Sequence, residues 1–233
     1  MEYNSKIIIA CDFNSKEEVY SLVDKLKGKK LFLKLGMQLL YKEGFDFIKE
    51  LKSQGHNIFI DLKVHDIPNT AKNAVKSIAT YEPDFITIHA LNGIEAMKAM
   101  QSAVENKNSK LLAVTILTSM GQEDMESMNI NVPVKSEVDT LLGLAKKAGI
   151  WGAVSSAQES PMVKKHGMFS ITPGIRLESD ENQDQKRVLT PYKAIKNGSD
   201  FIVVGRTITQ SKTPLKTYEE IESQIKKAEE ENE

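Results

Sequence analysis

Eight short apolar runs recur along the chain, and their regular recurrence limits the folds open to it. They read KIIIACDF (6–13), LFLKLG (31–36), NIFIDLKV (57–64), DFITIHA (84–90), KLLAVTIL (110–117), WGAVSS (151–156), MFSITPGI (168–175) and DFIVVGR (200–206). Each is continuous rather than strictly alternating, the mark of parallel strands covered on both faces. Between them lie helix-like stretches: SKEEVYSLVDKLKGK (15–29), QLLYKEGFDFIKELKSQG (38–55), NTAKNAVKSIATYEP (69–83), GIEAMKAMQSAVEN (93–106) and EVDTLLGLAKKAG (137–149). Ser15 is a candidate N-cap with Glu17 and Glu18 behind it, and acidic residues suit a first turn. Several stretches end in Gly or soon reach Pro, as helix stops do. Eight strand–helix units of about 28 residues predict an α/β fold, a (β/α)8 TIM barrel forming one domain over 1–233. An open doubly wound sheet is the competing architecture.

Composition narrows the chemistry. About 40% of the 233 residues are hydrophobic, enough for a large core. Lys plus Arg number 31 against 32 Asp plus Glu. A binder of nucleic acid or membrane surfaces would show a basic bias, so a small-molecule partner is expected. Cys11 is the single cysteine, which rules out an internal disulfide framework or thiolate zinc cluster and suits a reducing cytoplasm. The start, MEYNSKIII, shows neither a signal peptide nor a spanning segment. The four histidines (56, 65, 89 and 166) lack metal-ligand spacing, and there is no GxGxxG, Walker loop or CxxC. The tail KKAEEENE reads as a solvated helix end, fraying over 228–233.

In a barrel, polar residues at the C-terminal ends of strands are the functional suspects. Here the first strand ends at Asp12 and the second carries Lys34. The third carries Asp61 and Lys63, with Asp66 just beyond. Thr118, Arg176 and the Gly205-Arg206 pair lie near the ends of the fifth, seventh and eighth. Residues two apart on a strand face the same way, so Asp61 and Lys63 are expected on one side. Ile67-Pro68 should bend the chain, leaving Asn69 and Thr70 to cap the next helix. Carboxylates on either side favour the charged form of a lysine, which can then act as a general acid. Burying four charges at adjacent strand ends is costly unless a ligand uses them. TPGIR (172–176) and VVGR (203–206) place Gly beside Arg after the last two strands, where barrels commonly hold phosphate. The polar run LESDENQDQKR reads as a mobile loop over 177–187, on the face where a barrel's functional loops lie.

These residues resemble the orotidine 5′-phosphate decarboxylases, in their shorter bacterial form. The resemblance rests on DLKVHDIPNT, on CDF and KLG, on LTS at 117–119, and on TPGIR, DQKRVLTP and VVGR, an ordered set running from Asp12 to Arg206. It implies a barrel homodimer that converts orotidine 5′-monophosphate (OMP) to UMP and CO2 in pyrimidine biosynthesis, with no metal and no organic cofactor. It implies that Lys63 protonates C6 of the pyrimidine and that Asp61 sits beside the departing carboxylate. Lys34 would join the charged row and, with Asp12, hold the ribose hydroxyls. Asp66 and Thr70 would reach the neighbouring subunit's site, and Thr118 would contact the pyrimidine. Gln185, Gly205 and Arg206 would hold the phosphate, with Arg176 at the same end, and the mobile loop over 177–187 would grip it.

Three stretches depart from the family pattern: Cys11, HALNG (89–93) and SSAQE (155–159), none expected to touch an assigned residue. Two other readings stand beside the decarboxylase. One is a Mg-dependent sugar-phosphate lyase or decarboxylase of the same barrel group, which would carry a Glu where Lys34 stands. The other is a catalytically silent nucleotide-binding barrel, which should have lost Asp61, Lys63 or Asp66.

Overall fold

The computed structural model describes residues 3, 5–178 and 189–231. Eight parallel strands pair in chain order and close on themselves, β8 returning to β1. They are β1 (Ile7–Cys11), β2 (Phe32–Gly36), β3 (Asn57–Val64), β4 (Phe85–His89), β5 (Lys110–Val114), β6 (Gly152–Val154), β7 (Phe169–Thr172) and β8 (Phe201–Val204). Around them lie α1 (Lys16–Lys25), α2 (Met37–Glu43), α3 (Phe47–Ser53), α4 (Pro68–Ile78), α5 (Gly93–Ser102), α6 (Gln122–Ser127), α7 (Val134–Lys147), α8 (Ser160–Lys165), α9 (Pro191–Lys196), α10 (Arg206–Thr209) and α11 (Pro214–Glu230). The closed ring excludes the open doubly wound sheet.

Strand alternation sorts the apolar residues into two cores. Ile7, Ile9 and Cys11 face outward and pack with the helices, whereas Ile8 and Ala10 face the barrel interior. Inside, Phe32, Phe59, Phe85 and Phe201 form an aromatic floor, with Tyr3 and Trp151 packed against it. Two residues further along the same strands the inward positions turn polar: Lys34 after Phe32, Asp61 after Phe59 and Thr87 after Phe85. A filled apolar floor therefore supports a polar upper layer.

Local details differ from the sequence expectations. The stretch 38–55 is two helices, broken where Gly44 turns to φ 73°, a conformation glycine adopts without penalty. Ser15 occupies the N-cap of α1, but its hydroxyl makes no capping bond. Neither Asn69 nor Thr70 caps α4. Ile67 is the N-cap residue and Pro68 opens the helix with its φ already set, so Thr70 stands exposed in the first turn. The tail stays helical to Glu230 because Ile221, Ile225 and Ala228 give α11 a buried stripe.

Candidate active site

The C-terminal ends of β1, β2 and β3 bring alternating charges into a row. The Lys34 ammonium lies 3.3 Å from Asp12 Oδ1 and 3.2 Å from Asp61 Oδ2. The Lys63 ammonium lies 2.9 Å from Asp61 Oδ1. Lys34 and Asp61 retain only 12% and 14% of their side-chain exposure, Asp12 68%. Burial alone would pull the Lys34 ammonium down, but Asp61 and Asp12 outweigh it and hold its pKa above the ordinary lysine value. Burial would likewise raise Asp61, yet Lys34 and Lys63 hold its carboxyl below the usual range. The buried centre of the row is thus fully ionised and internally compensated.

The row forms one wall of a cavity of about 280 Å³. Phe59, Ala10 and Val203 lie among its apolar lining, and Leu117 and Thr118 line it after β5. The lining also includes Pro173, Gly174 and Arg176 after β7, then Gly205 and Arg206 after β8, the strand that pairs with β1. Gly174 has φ 78°, so the turn that brings Arg176 to the cavity needs a residue without Cβ. Arg176 is largely buried. The cavity therefore brings together an ion-paired row and two arginines, and the arginines suit an anionic group such as a phosphate.

Asp12, Lys34, Asp61, Lys63, Thr118, Arg176, Gly205 and Arg206 all line this cavity. Asp66 and Thr70 do not; both are exposed beyond β3. Gln185 and positions 179–187 of the expected loop lie outside the described residues. His89 caps a 3₁₀ turn, its Nδ1 accepting from the Leu91 N–H at 3.3 Å, and His65 packs edge-on against it. Burial, with His65 and Lys63 nearby, pulls the His89 pKa down.

Three features had not been read from the sequence. Asp61 and Lys63 share the cavity, but not by simple alternation. The pairing of β3 with β4 shifts between Ile60 and Val64, and Lys63 adopts φ 49°. Thr87, fully buried on β4, contacts both residues: it accepts from the Lys63 backbone N–H at 2.9 Å and lies 3.0 Å from Asp61 Oδ1. Its signal was parity, two residues beyond Phe85, masked because threonine is an ordinary strand former. The third is Asn92, within HALNG. Its amide donates to the Val64 and His89 carbonyls at 2.8 and 2.7 Å, and its Oδ1 accepts from the Asp66 N–H at 3.0 Å. That departure from the family pattern therefore does touch an assigned residue.

Comparison with known proteins agrees with this geometry. Residues 5–221 match the model of the orotidine 5′-phosphate decarboxylase / HUMPS family. The orotidine 5′-phosphate decarboxylase of Malacoplasma penetrans is 41% identical over 224 residues, 94% of this chain and 97% of that protein. That of Streptococcus gordonii is 43% identical over 222 residues, 93% of this chain and 96% of the relative. The crystal structure of orotidine 5′-phosphate decarboxylase from Lactobacillus acidophilus superposes with a TM-score of 0.85 at 35% identity, covering 94% of this chain and 98% of that one. With the family match spanning nearly the whole chain and the polar strand ends gathered on one cavity, this chain belongs to the orotidine 5′-phosphate decarboxylase / HUMPS family.

Proposed function

We propose that this chain decarboxylates OMP to UMP and CO2, without metal or organic cofactor, and that Lys63 is its general acid. The observation that carries the reading is the ionised row, Asp61 held between Lys34 and Lys63 at the wall of a cavity that Arg176 and Arg206 also line. The substrate phosphate binds at the arginine end, with Gly205 and Gln185 contributing there. Asp12 and Lys34 hold the ribose hydroxyls, and Thr118 meets the pyrimidine. The C6 carboxylate is thereby brought against Asp61.

That like-charge contact disfavours the bound ground state and disappears when CO2 departs. The C6–carboxylate bond breaks, its electron pair stays on C6, and the Lys63 ammonium gives its proton to that carbon; solvent later reprotonates the amine. At an effective dielectric of about 20, unit charges about 4 Å apart interact by about 4 kcal/mol. An ammonium facing the developing carbanion is therefore worth roughly a thousandfold in rate. Phosphate binding far from C6 supplies energy that can bring the site together around the substrate.

A Mg-dependent sugar-phosphate reaction fits less well, because the Lys34 ammonium, 3.2 Å from Asp61 Oδ2, stands where a carboxylate would be needed and repels a divalent cation. A silent nucleotide-binding barrel fits less well too, since Asp61, Lys63 and Asp66 are all retained.

The active form is a homodimer, with Asp66 and Thr70 of each subunit completing the partner's site. Their exposure supports this, as do the exposed apolar side chains Met37, Tyr41, Ile67 and Leu91, which follow β2, β3 and β4. A cytoplasmic location is in keeping with its single cysteine, a buried free thiol; among the described residues no helix is long and apolar enough to cross a membrane. The deciding experiment mixes pure protein with OMP and follows the orotidylate ultraviolet band. The band should decay, equally well in chelator. A stable band sinks the decarboxylase reading, and decay abolished by chelator favours the metal-dependent one.

A further inference from the structure

Strands β3 and β4 pair at Phe59 with Phe85 and Ile60 with Ile86, then again only at Val64 with Ile88. Asp61, Leu62 and Lys63 thus stand opposite a single β4 residue, Thr87. A bulge of this kind leaves backbone groups without their ladder partners. Thr87 supplies the missing partner, its Oγ1 accepting the Lys63 backbone N–H at 2.9 Å. The hydroxyl has one proton to give. Asp61 Oδ1 lies at 3.0 Å and the Ile60 carbonyl at 3.5 Å, so the carboxylate is the better acceptor. With Thr87 fully buried, no bulk water can take over either bond.

We propose that Thr87 is a positioning residue for the decarboxylation, one hydroxyl fixing both the Asp61 carboxylate and the bulged backbone that aims the Lys63 ammonium. The inference rests on the reading of Asp61 and Lys63 as the reacting pair. The two ammonium groups that also hold Asp61 end long side chains, which would follow the carboxylate if it swung. Thr87 has a short, β-branched side chain on a rigid strand, with χ1 restricted by its own branching. It is the contact that sets where the others settle. No proton or bond is exchanged at Thr87; its effect is geometric, and misplacement by about 1 Å can cost about a hundredfold in rate.

The test compares Thr87→Val and Thr87→Ser with the unmodified protein, measuring kcat for OMP, affinity for UMP and the thermal midpoint. Valine keeps the shape and removes the bridge; serine keeps the bridge. Thr87→Val should lower kcat by about tenfold to a hundredfold. UMP lacks the C6 carboxylate and grips through ribose and phosphate, so its affinity should change by less than about twofold. Thr87→Ser should recover most of the rate. Should valine prevent folding, Thr87→Ala is read in the same way. A valine or alanine variant with kcat within about twofold of the unmodified protein overturns the inference. So does a loss of rate matched by loss of UMP affinity, or a serine variant as slow as the valine one. If Lys63→Ala is itself fully active, the fault lies instead in the reading of the reacting pair.

Discussion

Asp61 receives an ammonium on each carboxylate oxygen, from Lys63 on Oδ1 and from Lys34 on Oδ2, and a hydroxyl as well. A group so held is fixed in place, so under the proposed mechanism its repulsion of the substrate carboxylate would be built in before binding. Lys63 bears the conformational cost. A left-handed backbone at a side-chain-bearing residue costs about 1–2 kcal/mol, and such strain persists where the surrounding structure over-determines it. Lys63→Ala removes the proposed proton donor but none of the residues proposed to hold phosphate and ribose. Turnover should fall by at least about a thousandfold with UMP affinity nearly unchanged; a residual rate near the unmodified one would contradict the general-acid role.

A second residue-scale expectation concerns His56, whose Nδ1 accepts the Leu31 N–H at 3.1 Å. Burial, aided by Lys30, pulls its pKa below the ordinary histidine value. The unfolded chain, titrating near about 6.5, therefore takes up the proton first as pH falls. This stability is intact above about pH 6.5 and is lost as pH drops from there toward the depressed folded value. His89 shifts in the same direction and adds to the loss. Thermal midpoints between about pH 8 and pH 5.5 should decline, and His56→Asn, which retains an acceptor for Leu31, should flatten part of the slope. Identical slopes in the two proteins would rule out this source. No local signal marks it, since His56 follows a helix-ending glycine and carries no motif. Its burial is a property of the packed chain.

At the scale of elements, the β3–β4 pair holds the groups proposed to react. Its bulge puts Asp61 and Lys63 in one cavity, and the turn after β4 secures the segment that carries Asp66. Strand parity correctly anticipated that Asp61 and Lys63 lie together, but for the wrong local reason. The alternation that placed Lys34 above Phe32 and Asp61 above Phe59 also places Thr87 above Phe85, so that residue was legible in principle. Asn92 was not, because Asn-Gly after a strand reads as a generic turn. Its role exists only through carbonyls and an N–H that the fold brings to it. Asn92→Ala breaks three hydrogen bonds worth about 0.5–1.5 kcal/mol each, less whatever water restores. The variant should lose about 1–2 kcal/mol of stability, exchange the Asp66 amide faster and lose several-fold in kcat. Unaltered exchange at Asp66 would show that Asn92 does not hold this segment.

At the scale of the whole molecule, the closed ring has an apolar floor and a C-terminal mouth where the charged residues gather. Aromatic side chains fill the lower interior beneath the charged row. Beyond the ring stand Asp66 and Thr70, assigned to a site in a second subunit. Subunits carrying Asp66→Asn and subunits carrying Lys63→Ala should each be nearly inactive alone. In a random mixture half the dimers are hybrids with one intact site of two, so about a quarter of full activity should return. Absence of recovery, with hybrids demonstrated, would remove the shared site. Hydrophobic periodicity and strand-end residue types are local properties, and they were enough to determine eight parallel repeats and most of the charged residues that line one cavity at the C-terminal ends of the strands. The bulge at Lys63, the Thr87 bridge, the Asn92 clamp and the buried state of His56 were decided only by tertiary structure. Each depends on the register between two strands, or on backbone groups distant in sequence, and a hydrogen bond acquires its value from where the fold places both partners.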